Sequence, residues 1–418
     1  MKPARFAVPS LVLLAGALFA AEPPAAEPAA TLHAADLLPA GLLHGPNHRI
    51  RDLVQTDGYL AHFEIDSDFG VFTAAGVPQV RQRLTEIEAI RKLVDTSKGD
   101  LFAEGMKRSL EQPIDAVKNI AKDPVGSVKR APATVGHFFG KIGSSLERGA
   151  TKVRDQIQND DTDAEESAKG IGNAAKNAAG FDKAKLDTAK QLGVDPYSDN
   201  ARLQEEMDKV TWAFFAGGLP LRIGAAAASA GIALTATNMV GIPEDTYALT
   251  QSELAMRDQQ ALSAMGITRE DIQAFQTQPN LSTTRRHRIV RSLSAMPKTA
   301  GRGRIIQLAN SCQSPGQADF LIASLGMLAQ RQQSGAAAYG ELKVLGRLPA
   351  AVTAGGTLEV AAPVDHVAWT EQVATFAYRD DLGNGAKCLV HTGTLSETAA
   401  AGFTAAGWTA APLPYPEK

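Results

Sequence analysis

The sequence is poor in cysteine and in aromatic residues. It contains 2 cysteines in 418 residues, and Phe, Trp and Tyr make up only 6% of the chain. With no third cysteine and no CxxC pair, a thiol-redox site or a cysteine-only metal site has little support. The low aromatic content, together with abundant Ala and Gly, favours closely packed small-residue helices over a wide substrate cleft lined by aromatic side chains.

Short motifs of catalysis and of nucleotide binding are also absent from the sequence. There is no GxSxG nucleophile elbow, no GxxxxGK[ST] phosphate loop, no HExxH zinc helix and no complete GxGxxG. The formal net charge of -3 argues against a general nucleic-acid binder. We therefore expect no cofactor, no bound metal ion and no nucleic-acid partner.

The N-terminus has the pattern of an export signal. Lys2 and Arg5 give the N-terminus a positive charge. An apolar run then extends from residue 6 to residue 19, and small residues follow it. The run is about 14 residues long, which is short for a bilayer span, so residues 1–20 are predicted to be a secretory signal peptide. This predicts a periplasmic or secreted protein. The alternative is that the segment stays as a membrane anchor. With cleavage after Ala20, Leu18 occupies the third position before the cut, where signal peptidases prefer a small residue.

The chain after the signal is predicted to begin with a linker and a small folded unit. Residues 21–50 start with a Pro/Ala-rich stretch that is typical of an extended linker. Two short strand patterns, over 59–65 and 69–73, flank a turn. From residue 78 apolar residues recur every three or four positions, as in an amphipathic helix. Residues 51–105 are therefore predicted to form a hairpin-plus-helix unit.

Residues 106–192 contain the most basic stretch of the chain, followed by an acidic run over 159–166 that we expect to be a linker of low order. Apolar residues recur among the basic ones, and prolines divide the pattern into short pieces. Short basic amphipathic helices bind anionic lipid by apolar insertion and by about 1 kcal/mol per basic residue. The alternative is a helical excursion that packs on the body with its lysines in water. The candidate binding residues are Lys118, Lys122, Lys129, Arg130 and Lys141.

Residues 193–335 are predicted to form a helical body. Asp199, Thr268 and Ser282 precede patterns of helical period and are predicted N-caps, because such side chains accept hydrogen bonds from free N–H groups. The run over 223–242 carries no charge, but its small residues contribute little transfer free energy to membrane insertion. We expect it to form a buried helix or helical pair with close backbone approach.

A dense basic cluster follows the predicted cap at Ser282. It contains Arg285, Arg286 and Arg288. Arginines beside a helix start can bind a phosphate or another anionic group. The alternative is a solvated or salt-bridged helix face, so the cluster is a candidate binding site only.

After residue 335 the apolar period shortens to two. Strand patterns that include 375–378 predict an antiparallel β domain over residues 336–418. His366 and His391 lie in neighbouring predicted strands, and Asp365 adjoins the first. A histidine and a carboxylate can form an acid–base pair or a metal site if the strands bring them together, whereas half-exposed strand histidines are the simpler interpretation.

Cys312 and Cys388 are predicted to form a disulfide, because an exported chain meets an oxidising compartment. The bridge would close a long loop and tie the helical body to the C-terminal sheet. The alternative is two buried free thiols, since cysteine also packs as a small apolar side chain.

The sequence thus predicts a mostly helical α+β protein. It has an N-terminal hairpin–helix unit, a central helical body with small-residue buried helices and a C-terminal antiparallel β region. The first functional hypothesis is a non-enzymatic exported protein that contacts an anionic membrane surface or an envelope protein. The alternatives are an envelope hydrolase or metal-dependent enzyme that uses the C-terminal histidines, and a toxin-like protein that inserts residues 213–242 into a membrane.

Overall fold

The computed structural model describes residues 24–111, 179–221, 223 and 241–413. These residues form helices together with antiparallel and mixed sheets, which confirms the α+β class. The predicted signal peptide, the five candidate lipid-binding residues and most of the predicted small-residue helix lie outside the described residues.

An antiparallel sheet with two short helices, α1 (Ala34–Leu37) and α2 (Ala40–Leu43), forms the N-terminal unit. Its central strand pairs with β3 and β4 along one edge and with β6 along the other. The strands are β1 (Thr31–His33), β2 (His44–Gly45), β3 (His48–Ile50), β4 (Leu53–Thr56), the central β5 (Ala61–Ser67) and β6 (Gly70–Ala75).

The folded unit begins earlier than the sequence predicted. The expected linker over 21–50 is wrong from Thr31 onward, because Leu38, Leu42 and Ile50 are buried in the core of the sheet. The Pro/Ala-rich stretch occupies only residues 22–31 of that range. Burying each of these side chains stabilises the fold by about 1.5–3 kcal/mol, which is enough to order the short helices against the sheet.

The predicted amphipathic helix is confirmed as α3 (Val77–Thr96). Leu84 and Ile87 contact the core of the N-terminal sheet. Ile90 and Leu93, one to two turns further on, contact a separate core formed by the next helices. Helix α3 therefore joins the N-terminal sheet to the helical part of the protein.

Three helices pack on the second half of α3: α4 (Asp100–Glu111), α5 (179–192) and α6 (Ala201–Ala216). We call these three helices the helical platform. Gly105 and Gly217 meet where α4 passes the end of α6, and a Cβ on Gly217 would lie 2.6 Å from the Cα of Gly105. Only glycine permits that approach.

Helix α6 begins one residue later than predicted. Its N-cap is Asn200, whose side chain accepts a hydrogen bond from the N–H of Leu203. The predicted cap, Asp199, instead forms ion pairs with Arg83 and Arg285. Both residue types can cap a helix, so local sequence does not decide between them.

In the described part of the predicted helical body, six helices follow α6. Two predicted N-caps are confirmed: Thr268 accepts from the N–H of Asp271, and Ser282 accepts from the N–H of Arg285. The apolar faces of α8 to α12 share one core with the inner face of the C-terminal sheet, whereas Tyr247 of α7 packs in the core of the helical platform. The helices are α7 (Asp245–Ala248), α8 (Gln251–Ala264), α9 (Arg269–Thr277), α10 (Thr283–Ser294), α11 (Arg302–Asn310) and α12 (Pro315–Gln333).

The C-terminal sheet is mixed, and the predicted wholly antiparallel arrangement is correct for only its first half. Strands β7, β8 and β9 are antiparallel, whereas β9, β11 and β13 run parallel. A separate parallel pair joins β10 to β12. The strands are β7 (Tyr339–Leu345), β8 (Leu348–Thr353), β9 (Leu358–Ala362), β10 (His366–Val367), β11 (Lys387–His391), β12 (Thr394–Leu395) and β13 (Trp408–Pro412).

Two helices explain the parallel half of this sheet. Helices α13 (Glu371–Ala377) and α14 (Glu397–Ala405) carry the chain back between β9, β11 and β13, as a parallel pairing requires. The strand predicted over 375–378 is wrong, since most of these residues form the end of α13. Thr370 caps this helix by accepting from the N–H of Val373, a local signal that the apolar alternation obscured.

The first described residues lie against the C-terminal unit. Glu27 N–H donates to the carbonyl oxygen of Trp369 at 2.9 Å, and Trp369 N–H donates to Glu27 Oε1 at 2.6 Å. The indole N–H of Trp369 donates to the carbonyl oxygen of Pro24 at 3.1 Å. Residues 24–30 therefore form a strap that holds the N-terminal unit to the C-terminal one.

Asp365 makes a second connection between these units. Its carboxylate accepts hydrogen bonds from the backbone N–H of Ala61 and of Val77, each at 3.0 Å. Both donors belong to the N-terminal unit, at the start of β5 and of α3. The side chain is buried, and burial raises the pKa of this carboxyl group despite the two hydrogen bonds.

The disulfide predicted between Cys312 and Cys388 is not formed in this structure. Both residues are free and buried, and both belong to the core between the helical body and the C-terminal sheet. Cys312 Sγ lies 3.8 Å from the carbonyl oxygen of Leu308. The alternative from the sequence, two thiols packed as small apolar side chains, describes this arrangement.

We expect both thiols to react with a thiol reagent only after unfolding, and without any reductant. Burial raises the pKa of Cys312 and of Cys388, and the thiolate is the reactive form. The measurement is a thiol titration of the native and the denatured protein. Denatured protein that releases its thiols only after reduction would show that the two residues are bridged.

Replacing Asp365 with Ala is expected to lower the free energy of unfolding by about 2–4 kcal/mol, because two buried N–H groups lose their acceptor. Urea unfolding measures this loss. Asp380→Ala removes an exposed carboxylate from the same unit and is the matched control. Equal unfolding free energies for the two variants would show that Asp365 does not connect the units.

Candidate functional site

The predicted acid–base residues have separate hydrogen-bond partners. His391 Nδ1 donates to the carbonyl oxygen of Gly393 at 2.8 Å, and His366 Nδ1 lies 2.8 Å from Thr394 Oγ1. The carboxylate of Asp365 is directed at the backbone of the N-terminal unit. No hydrogen bond joins these three predicted residues to one another in the described part of the chain. The structure therefore does not assemble them into an acid–base pair.

The described ranges contain no group of three or more His, Cys, Asp or Glu side chains suited to hold an ion. His287 is buried between two carboxylates. Its Nδ1 lies 2.8 Å from Asp258 Oδ1 and its Nε2 lies 3.5 Å from Asp245 Oδ2.

The three arginines of the predicted basic cluster face different surroundings. Arg285 donates from Nε and Nη2 to the carboxylate of Asp319 at 2.7 and 2.9 Å, and Nη2 also donates to Asp199 at 2.8 Å. Its guanidinium is therefore occupied by internal carboxylates. The salt-bridged alternative describes Arg285, and the cluster as a whole is not a single anion site.

Arg285 belongs to a chain of charged groups that the sequence did not reveal. Glu86 is 1% exposed and accepts from Arg83 Nη1 at 2.6 Å, and Arg83 Nη2 donates to Asp199 at 3.0 Å. Asp199 then pairs with Arg285, which pairs with Asp319. We call these five residues the ion-pair chain.

Three further donors surround Glu86, and one of them is Gln82 Nε2 on the same helix, at 2.9 Å. Ser198 Oγ donates to Glu86 at 2.6 Å and Asn200 Nδ2 donates at 2.8 Å. The only local signal in the sequence was the spacing of Gln82 and Arg83 from Glu86, four and three residues away on one helix. The donors on the 193–200 loop come from the tertiary fold, so no sequence pattern predicted them.

A half-buried acidic group lies beside this chain. Asp195 Oδ1 accepts from Thr284 Oγ1 at 2.5 Å and from the N–H of Tyr197 at 2.9 Å. Burial raises the pKa of Asp195 to about 6. Arg288 lies in the field of Asp195 and Asp319 without an ion pair in the described residues, and burial lowers its pKa.

An open cleft of about 360 Å³ lies between strand β6 and the start of helix α6. Its apolar side contains Phe72 and Val71, and Val71 is 60% exposed. Its cationic side contains Arg83 and Arg202. Both arginines pair with carboxylates, Arg83 in the ion-pair chain and Arg202 with glutamates of its own helix. The cleft therefore offers a ligand no unpaired positive charge.

Both predicted membrane-active segments join the described fold at the helical platform. Helix α4 ends at Glu111, and residues 112–155, which we call the basic segment, lie in the stretch of chain between α4 and α5. A Cβ on Gly180 of α5 would lie 3.0 Å from the ring of Phe215 on α6. The uncharged run over 223–242 follows the end of α6 in the chain. The end of α6 therefore contacts α4 at Gly105 and the start of α5 at Gly180.

No family model, curated protein or solved structure matches this chain. Among the helices that the structure describes, none has both the length and the apolar character needed to cross a bilayer.

Changing Asp195 to Asn is expected to affect stability in a pH-dependent way. The folded carboxyl group keeps its proton up to about pH 6, whereas the unfolded one loses it near pH 4. The wild type therefore loses stability as the pH rises through this range, and the variant lacks that loss. The stability of Asp195→Asn relative to the wild type should rise by roughly 2–3 kcal/mol between pH 4 and pH 8.

Urea unfolding of both proteins at the two pH values measures this difference. Asp187→Asn, on the exposed face of α5, is the control for the loss of one carboxylate from the surface. A relative stability of Asp195→Asn that is the same at both pH values would contradict the raised pKa.

Proposed function

We propose that this protein is exported to the cell envelope and binds an anionic membrane surface there through its basic segment. It acts as a binding protein and not as an enzyme. Lys118, Lys122, Lys129, Arg130 and Lys141 supply the charge. The folded units that the structure describes act as the scaffold that presents this segment.

The observation that carries this proposal is the position of the helical platform. The basic segment follows α4 and precedes α5 in the chain, and both helices pack on α6. The uncharged run over 223–242 follows α6 in the chain. Both stretches are therefore attached to the helical platform, and their compositions suit a surface that is anionic outside and apolar beneath.

The size of the expected attraction is sufficient for reversible binding. Five basic residues at about 1 kcal/mol each give about 5 kcal/mol, which corresponds to a dissociation constant below about 1 mM before any apolar contribution. The arginines of the ion-pair chain add nothing to this attraction, because internal carboxylates neutralise them.

The enzymatic alternative, with His366 and His391 as the titrating pair, gains less support. Each histidine has its own partner, and Asp365 is occupied by two backbone N–H groups. The toxin-like alternative uses the same helical platform and differs in its outcome, because insertion of residues 213–242 would make vesicles leak.

We expect the protein to sediment with vesicles of phosphatidylcholine and phosphatidylglycerol, and not with phosphatidylcholine alone. Binding should weaken as salt rises from 0.1 to 1 M, because the screening length falls from about 10 to 3 Å. Changing the five candidate residues to Gln should weaken binding by about 100-fold or more. Entrapped dye should stay inside the vesicles.

The control variant changes the same number of exposed basic residues elsewhere and should bind as the wild type does. Equal loss in both variants would mean that net charge and not this segment drives binding. No binding to anionic vesicles at low salt would overturn the proposal, and release of dye would favour the toxin-like alternative. The control residues are Arg49, Lys98, Arg257, Arg269 and Lys298.

A further inference from the structure

A second cleft lies among the helices of the body, away from the helical platform. It has a volume of about 100 Å³ and is formed by α8, α9 and the start of α10. Leu262 and Phe275, each 1% exposed, form its apolar floor. The side chains of Gln251, Gln259 and Gln276 surround it. It is narrower than the open cleft beside β6 and is lined by different charges.

Two opposite charges line this cleft without pairing to each other. Asp258 is 6% exposed, and its Oδ1 lies 2.8 Å from His287 Nδ1. Arg286 makes a single long hydrogen bond, from Nη1 to the carbonyl oxygen of Gln278 at 3.5 Å. No ion pair joins Arg286 to a carboxylate within the described ranges, although Asp258 lies close enough to favour its charged form.

Asp258 is buried and Arg286 is half-buried, and the guanidinium of Arg286 has only one partner within the described part of the protein. A guanidinium has five N–H donors, and buried donors and charges are normally satisfied by partners. Arg285, the preceding residue, shows the usual solution, with two carboxylates on one guanidinium. Burial lowers the pKa of Arg286, which agrees with a cation that lacks a close counterion.

We propose that this cleft binds a small zwitterion of the α-amino-acid class. Arg286 contacts the carboxylate of the ligand, Asp258 contacts its ammonium group, and Leu262 and Phe275 contact its side chain. A ligand that carries both charges neutralises both walls of the cleft at once, which neither a simple anion nor a simple cation does.

The volume limits the size of the ligand. An apolar cavity of about 150 Å³ binds benzene, which has six heavy atoms. A cleft of about 100 Å³ therefore fits glycine or alanine better than a larger amino acid. This inference does not rest on membrane binding, because the cleft and the helical platform are different parts of the fold.

The test is a calorimetric titration of the full chain with glycine and L-alanine. Propionate and ethylamine, which each retain one of the two charges, serve as comparison ligands. We expect the zwitterions to bind at least about tenfold more tightly than either, because each singly charged ligand leaves one wall unpaired. Equal binding of propionate, or no binding of glycine and alanine, would overturn the proposal.

Variants locate the site. Arg286→Gln and Asp258→Asn should each weaken binding by about tenfold or more. Arg291→Gln removes an exposed arginine from the same helix and should bind as the wild type does. Asp258 also contacts His287, so its variant is first checked for folding by circular dichroism. If it fails to fold, Arg286→Gln decides alone, and its unchanged affinity would overturn the proposal.

Discussion

The ion-pair chain is the constraint on which the rest of the structure depends. It runs from Glu86 through Arg83, Asp199 and Arg285 to Asp319, and thereby joins α3, the 193–200 loop, α10 and α12. Such a chain contributes little net stability, because the free energy needed to remove the charges from water is about as large as that of their attraction. Its effect is on specificity. Glu86 is buried, whereas Asp199 and Asp319 are partly exposed. Removing Arg83 leaves the buried carboxylate of Glu86 without a counterion, at a cost of about 3–5 kcal/mol, so the chain favours one arrangement of these four elements.

The strap also connects separate elements, through backbone groups and the single carboxylate of Glu27. Ser396 accepts from the N–H of Ala399 as the N-cap of α14, and its hydroxyl donates to Glu27. Burial alone would raise the pKa of Glu27, but bonds from Ser396, from the N–H of Trp369 and from Thr398 lower it overall. The first described residues are therefore held by groups that also end or cap elements of the C-terminal unit. These residues resemble a linker in composition, but they belong to the fold. Local sequence does not show this, because their partners lie more than three hundred residues away.

The sequence predicts those parts of the fold whose signals act between residues that are close together in the chain. Helix α3 and the caps at Thr268 and Ser282 were predicted correctly, because periodicity and capping act within one or two turns. The strand predicted over 375–378 was wrong, since a short apolar run fits either period and only packing decides. The parallel half of the C-terminal sheet depends on two crossover helices, and the role of Glu86 depends on a loop more than a hundred residues away. Such long-range partners leave no local trace, so the candidate sites were the least predictable part.

The arginines of helix α10 show why a cluster in sequence is not yet a site. Successive residues on a helix point about 100° apart, so Arg286 faces another environment than Arg285 and Arg288, which are three residues apart and both lie near Asp319. Arg285 meets two carboxylates and is structural. Arg288 faces Asp195 and Asp319 from within the protein. Arg286 alone of the three lines a cleft while lacking a carboxylate partner in the described residues. A positive charge provides binding capacity only where the fold leaves it without an internal anion and within reach of solvent. The number of basic residues therefore predicts a binding site less well than their pairing does, since Arg83 and Arg285 are already neutralised within the ion-pair chain.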